Sequence, residues 1–152
     1  MNMASTNQVA SGSLGSGLTW RSKAVRFAAI VTLVNVLVAT GFSMAGLVAP
    51  KAILPAGYLP TNASYVFSLY AADRAVGLAC VTAWVAWSRS TVGLTILGVL
   101  AGIIQLCDAA IGLVQSDPGK TVGPLVIALV QLVAVWRLVR AGAVVGSSVG
   151  SG

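Results

Sequence analysis

Residues 91–114 read TVGLTILGVLAGIIQLCDAAIGLV, an apolar run whose one charged residue is Asp108. An α-helix needs about 20 predominantly apolar residues to cross the roughly 30 Å hydrocarbon layer of a bilayer. The run exceeds that length, and it therefore predicts a transmembrane helix.

Three further apolar runs of comparable length lie at about 24–49, 65–87 and 122–139. The connections between the four runs are short, and the one at 88–90 has three residues. Short connections place consecutive helices side by side and antiparallel. The sequence predicts an all-α fold, an integral membrane four-helix bundle of antiparallel up-down topology over residues 21–140.

The composition supports a membrane protein and opposes several other classes. Hydrophobic residues make up 57% of the chain and charged residues 8%, whereas soluble proteins carry about 25% charged residues. The net charge of +6 does not indicate nucleic-acid binding, because the basic residues flank the apolar runs instead of forming one patch. With no histidine and three acidic residues, we expect neither a metal site nor a bound cofactor.

The segments outside the four runs are expected to be irregular. Residues 1–20 are rich in serine, glycine and asparagine and predict a disordered tail, and residues 141–152 predict a flexible one. Three prolines within 50–60 exclude a regular helix in the first connection. The first run is too long for a signal peptide, so we expect it to be retained.

The distribution of basic residues predicts the orientation of the chain. One side of the predicted bundle carries six of them: Arg21, Lys23, Arg26, Arg89, Arg137 and Arg140. The other side carries Lys51 and Lys120, and Asp117 partly offsets Lys120. Because positive residues concentrate on the cytoplasmic side, we expect a multi-pass protein with both termini in the cytoplasm.

Polar and small residues recur at helical spacing within each run. In the second run these are Tyr70, Asp73, Gly77, Cys80 and Trp84. Residues three and four apart share a helical face, and a polar face turned to lipid is costly. We therefore expect the polar faces of all four helices to point inward.

An intramembrane polar cluster is predicted from the depths of the residues on the second and third helices. Its members are Tyr70, Asp73, Arg74, Gln105 and Asp108. Arg74 is expected to pair with Asp108, Asp73 or both. The cluster either pins the two helices together or forms a functional site, and Asn35 and Gln131, nearer the midplane, are expected to bond helices together.

Three smaller motifs have structural interpretations. Gly98-Val-Leu-Ala-Gly102 matches the Gly-x-x-x-Gly pattern of close helix contacts, here expected within the chain. Cys80 and Cys107 differ in depth and are expected to be packing residues without a disulfide. Asn62-Ala63-Ser64 matches the N-glycosylation pattern by chance, since that pattern is short and common.

The second and third runs also resemble a known group. Residues 70–79, YAADRAVGLA, and residues 105–108, QLCD, are similar to the DoxX-like group of small four-helix membrane proteins over about residues 24–140. In related families an Arg-Asp pair is followed by glycine. Here Asp73 and Gly77 fit that spacing, but position 72 is alanine and the arginine follows the aspartate. The resemblance implies a membrane-embedded accessory or redox-linked role without a defined reaction.

The leading functional expectation is a non-catalytic membrane protein. It would be an accessory subunit of a membrane protein, or a binder of a small lipophilic molecule. In both cases it lies in a lipid bilayer, and its partner is another membrane protein or a further copy of the chain in a homo-oligomer. The alternative is an intramembrane enzyme or redox subunit acting on a quinone or isoprenoid-like substrate, with Asp73 or Asp108 as proton donor. A third interpretation is proton-coupled transport, for which four helices without an inverted repeat offer little machinery.

Overall fold

The computed structural model describes residues 22–55 and 57–149. Within them the chain is helical, with α1 over Lys23–Val48, α2 over Pro50–Ile53, α3 over Asn62–Ser88, α4 over Thr91–Val114 and α5 over Pro118–Val149. Four helices are long and apolar enough to cross a membrane: α1, α3, α4 and the Pro118–Gly142 part of α5. The all-α fold with four candidate spans is confirmed. The tail predicted at 1–20, Arg21 and residues 150–152 lie outside the described residues.

Side-chain and backbone caps determine where the long helices begin. The Ser22 hydroxyl accepts the backbone N–H of Val25, and the Ser90 hydroxyl accepts that of Gly93. Thr61 and Ser64 form a reciprocal capping box at the start of α3, which satisfies amides that have no partner inside the helix. That box explains why α3 begins at Asn62, three residues before the predicted start.

The fourth long helix extends beyond its predicted range at both ends. Asp117 Oδ1 accepts the backbone N–H groups of Gly119 and Lys120, and Pro118 occupies the first helical position, where its missing N–H costs nothing. At its other end α5 continues to Val149, so residues 141–149 are helical where a flexible tail was expected. The single turn α2 also differs from the prediction, because Pro50 at its first position tolerates a helical start.

The four long helices do not pack with equal closeness. α4 packs most extensively against α5, and α1 contacts α3, α4 and α5. α3 packs mainly on α1 and touches α4 little. The predicted close pairing of the second and third helices is therefore wrong: the three-residue link joins their ends, but α1 provides the surface that α3 covers.

Small residues allow the closest helix contacts. A Cβ at Gly98 would overlap with the side chains of Val135 and Gln131, and one at Gly102 would overlap with Leu132. Both glycines of the Gly-x-x-x-Gly motif thus face α5 of the same chain, which confirms the predicted contact within the chain. An apolar core lies beside this contact, formed by Val25, Ala28, Ala29, Leu94, Ala134 and Leu138.

Candidate functional site

A chain of buried amides connects three of the long helices. Gln105 Nε2 on α4 donates to Asn35 Oδ1 on α1 at 2.6 Å. Asn35 Nδ2 donates to Gln131 Oε1 on α5 at 3.2 Å, and Gln131 Nε2 donates to Thr32 Oγ1 at 2.9 Å. None of the four side chains is more than 3% exposed. We call these residues the amide network, and it fixes α1, α4 and α5 relative to one another.

A cavity of about 550 Å³ lies next to the amide network. Most of its wall is apolar, with Val38, Phe42, Ile111 and Ile127 among the lining residues. All four long helices and Ile53 of α2 contribute to it. Its volume falls within the range of about 300–1,000 Å³ that is typical of small-molecule sites in proteins.

A few polar side chains interrupt the apolar wall of the cavity. Gln105, which belongs to the amide network, and Asp108 come from α4, one helical turn apart. Ser43 of α1 and Ser68 of α3 face the same space. Asp108 is partly buried, and its carboxylate has no hydrogen-bond or ion-pair partner among residues 22–55 and 57–149. The carboxylate is therefore available to a molecule in the cavity.

Lys120 lines the cavity and links the end of α2 to the turn between α4 and α5. Its Nζ donates to the Ile53 carbonyl at 2.8 Å and to Gln115 Oε1 at 3.3 Å. It also lies 3.2 Å from Asp117 Oδ2. The backbone N–H of Lys120, followed by its ammonium group, holds the pKa of Asp117 below its usual value. The ion pair between Lys120 and Asp117 agrees with the partial offset expected for their charges.

The structure does not bring the five residues of the predicted polar cluster together. Gln105 belongs to the amide network and Asp108 to the cavity, whereas Tyr70, Asp73 and Arg74 lie exposed on the outer face of α3. The predicted pairing of Arg74 is not formed, since the one ion pair within residues 22–55 and 57–149 is Asp117–Lys120.

The inward orientation predicted for the α3 stripe is also wrong. Tyr70, Asp73, Gly77, Cys80 and Trp84 are all exposed. Many residues on the inner face of α3 are small instead: Ala72 and Thr82 are buried and Ser68 lies against Gly46 of α1, whereas the larger Val85 packs against the apolar core. Small side chains let two backbones approach, and that close packing determines which face of α3 covers α1.

The two cysteines are free and exposed. Each was expected to be a packing residue, but Cys80 lies on the outer face of α3 and Cys107 on the outer face of α4. Neither side chain contributes to the buried core of the described residues.

Lys120 and Pro124 are among the residues of the cavity wall that sequence reasoning missed. In the sequence, Lys120 indicates only the orientation of the chain. Pro124 lies inside α5, where it removes a backbone donor, and it lines the cavity. A proline within an apolar run is the signal that could have indicated an irregular wall at this place.

Comparison with known proteins returns no match: no family model fits the sequence, no curated protein is similar to it, and no solved structure matches its fold. The DoxX-like resemblance stays a prediction.

Proposed function

We propose that the chain is a multi-pass membrane protein that binds a small lipophilic molecule in the cavity beside Asp108, without catalysing a reaction. Both termini lie in the cytoplasm, and the four spans alternate in direction. The observation that carries the proposal is the cavity itself: it is largely apolar, has the volume of a small ligand, and contains one unpaired carboxylate.

The wall of the cavity indicates the chemistry of its ligand. An apolar body fits against Val38, Phe42 and Ile127, because burying apolar surface is the main favourable term in such sites. Asp108 and Gln105 occupy one side of the wall, so a hydroxyl, amine or amide group on the ligand has a hydrogen-bond partner there. The expected ligand is a lipophilic molecule with one polar group that donates a hydrogen bond.

Saturable binding of a lipophilic fluorescent probe to the purified full chain in nanodiscs tests this proposal. Ala39→Phe places an aromatic ring in the cavity wall and should abolish saturable binding. Ala110→Phe, on the exposed face of α4 and outside the cavity, is the matched control and should bind as the parent does. Equal binding by both variants would show that the probe does not occupy the cavity.

A second candidate function is an intramembrane enzyme or redox subunit with Asp108 as proton donor. It is favoured by the same carboxylate, since a proton donor must reach its substrate and Asp108 is the aspartate that lines the cavity. Asp73 does not line it. If Asp108→Asn abolishes the turnover of a quinone or isoprenoid-like substrate while probe binding is kept, the cavity is a catalytic site and the non-catalytic proposal is wrong.

A further inference from the structure

The outer face of α3 carries two adjacent charges in the middle of a candidate span. Asp73 and Arg74 are the twelfth and thirteenth of the 27 residues of α3, which places them roughly 16–18 Å from its first residue. Both are exposed, and neither has a hydrogen-bond or ion-pair partner within the described part of the chain. A charged side chain facing hydrocarbon near the bilayer centre is strongly disfavoured.

The rest of this face has the spacing and the open surface of a helix contact. α3 is the least apolar of the four candidate spans, and it is also the span least buried within the chain. The exposed residues Tyr70, Asp73, Gly77, Cys80 and Trp84 alternate in steps of three and four, the spacing that brings one side of a helix against another helix. A side chain added at Gly77 would meet nothing within 4 Å, so this chain leaves open space where a second backbone could approach.

We propose that a second copy of this chain covers the outer face of α3, with the two α3 helices side by side and parallel about a two-fold axis. The proposal rests on the membrane insertion proposed above. In such a pair Asp73 of each copy lies at the depth of the partner's Arg74, because the two residues are adjacent in sequence. Two symmetric ion pairs then neutralise all four charges.

The charge pattern favours a copy of this chain over a different partner. A partner helix has to present one cation and one anion at a single depth, and α3 itself presents both. A two-fold interface uses the same patch on both subunits and therefore requires self-complementarity, which an adjacent Asp-Arg pair provides. Gly77, one turn further along the face, allows the two backbones to come close.

Cys80 allows a direct test of the interface with the native sequence. It lies on the same face, seven residues after Asp73, and the two-fold arrangement brings the two copies of Cys80 near each other. Mild oxidation of the full chain in membrane vesicles should produce a disulfide-linked dimer. Cys80→Ser should abolish that dimer, and Cys107→Ser, which changes the exposed cysteine of α4, should leave it unchanged.

Charge reversal tests the ion pairs themselves. Asp73→Arg puts two cations on each copy, Arg74→Asp puts two anions on each copy, and each variant alone should lose the dimer. Co-expression of the two variants should restore it as a mixed dimer, which also demonstrates that both variants fold. The double variant D73R/R74D, which reverses the pair, should form a dimer as the parent does.

Resistance of the chain to alkaline extraction from the vesicles is measured first. If the chain is extracted, the proposed membrane insertion fails. If it stays in the membrane, a monomer over a range of protein-to-lipid ratios overturns the dimer alone. Crosslinking through Cys107 in place of Cys80, a parental yield of dimer in D73R or R74D alone, or stoichiometric recovery of a different protein on α3 would each overturn it as well.

Discussion

At the scale of single residues, Asn35 is the central member of the amide network. Its side chain accepts from Gln105 of α4 and donates to Gln131 of α5. A buried polar group left without its partner costs about 1–3 kcal/mol, although hydrogen bonds between membrane helices average only about 0.6 kcal/mol. The main contribution of Asn35 to stability is therefore that it leaves no buried polar group of Gln105 or Gln131 unpaired, and the energy of either hydrogen bond is the smaller part.

Asn35→Leu should lower the free energy of unfolding by about 1–3 kcal/mol, because it leaves the Gln105 amide N–H and the Gln131 carbonyl oxygen buried and unpaired. Thr82→Val is the matched control: the Thr82 hydroxyl is buried without a partner within the described residues, so its removal should leave stability unchanged or raise it. Unfolding by denaturant in mixed micelles measures both. A fully stable Asn35→Leu protein would show that the network contributes specificity only.

At the scale of helices, glycine positions determine how closely α4 and α5 approach. A Cβ at Gly112 of α4 would overlap with the backbone of Lys120 and Thr121 at the start of α5. Backbone atoms cannot move aside as the end of a flexible side chain can. The end of α4 can approach the first turn of α5 this closely because residue 112 has no side chain.

Gly112→Ala should destabilise the protein by about 1–3 kcal/mol, the usual range for overpacking, even though alanine favours a helix more than glycine does. Gly123→Ala, on the exposed side of α5 with open space around it, should instead be neutral or slightly stabilising. Thermal unfolding of the two variants in the same detergent provides the comparison. Equal melting temperatures would mean that the two helices separate at Gly112 without cost.

The sequence predicts helices better than it predicts the faces they present. Apolar runs of sufficient length predicted all four long helices, because the length of a span follows from bilayer thickness. The boundaries at Asn62 and Pro118 were missed because they depend on the local caps of Thr61 and Asp117. The polar spacing on α3 correctly grouped Tyr70, Asp73 and Gly77 on one face, but spacing cannot tell whether that face points into the bundle or away from it.

The candidate site was predictable only in part for the same reason. Asp108 and Gln105 stood out as rare polar residues in an apolar run, and both line the cavity. The cavity itself depends on the rotation and tilt of four helices. It also depends on the contact of Lys120 with Ile53, two residues that lie 67 positions apart in the sequence. No local pattern in the sequence contains that information.

At the scale of the whole molecule, the basic residues other than Arg74 are predicted to divide between the two ends of the bundle. Reporter fusions after Arg140 and at Asp117 should give opposite signals, with the Arg140 fusion cytoplasmic and the Asp117 fusion external, because positive residues are retained in the cytoplasm. Lys120→Met removes the positive charge of this side chain and should leave that orientation unchanged. An external signal from the Arg140 fusion would contradict the proposed topology.

The amide network also imposes an order on the making of the protein. Asn35 leaves the ribosome 70 residues before Gln105 and 96 residues before Gln131. At the usual synthesis rate of about 5–20 residues per second, the interval to Gln131 is about 5–20 s. Until both Gln105 and Gln131 have emerged, the Asn35 side chain lacks at least one of its two partners. In the proposed membrane, α1 then needs water, lipid headgroups or the insertion machinery as a temporary partner. The amide network becomes complete only when the last helix arrives, and a chain truncated before Gln131 leaves the Asn35 amide N–H without its acceptor.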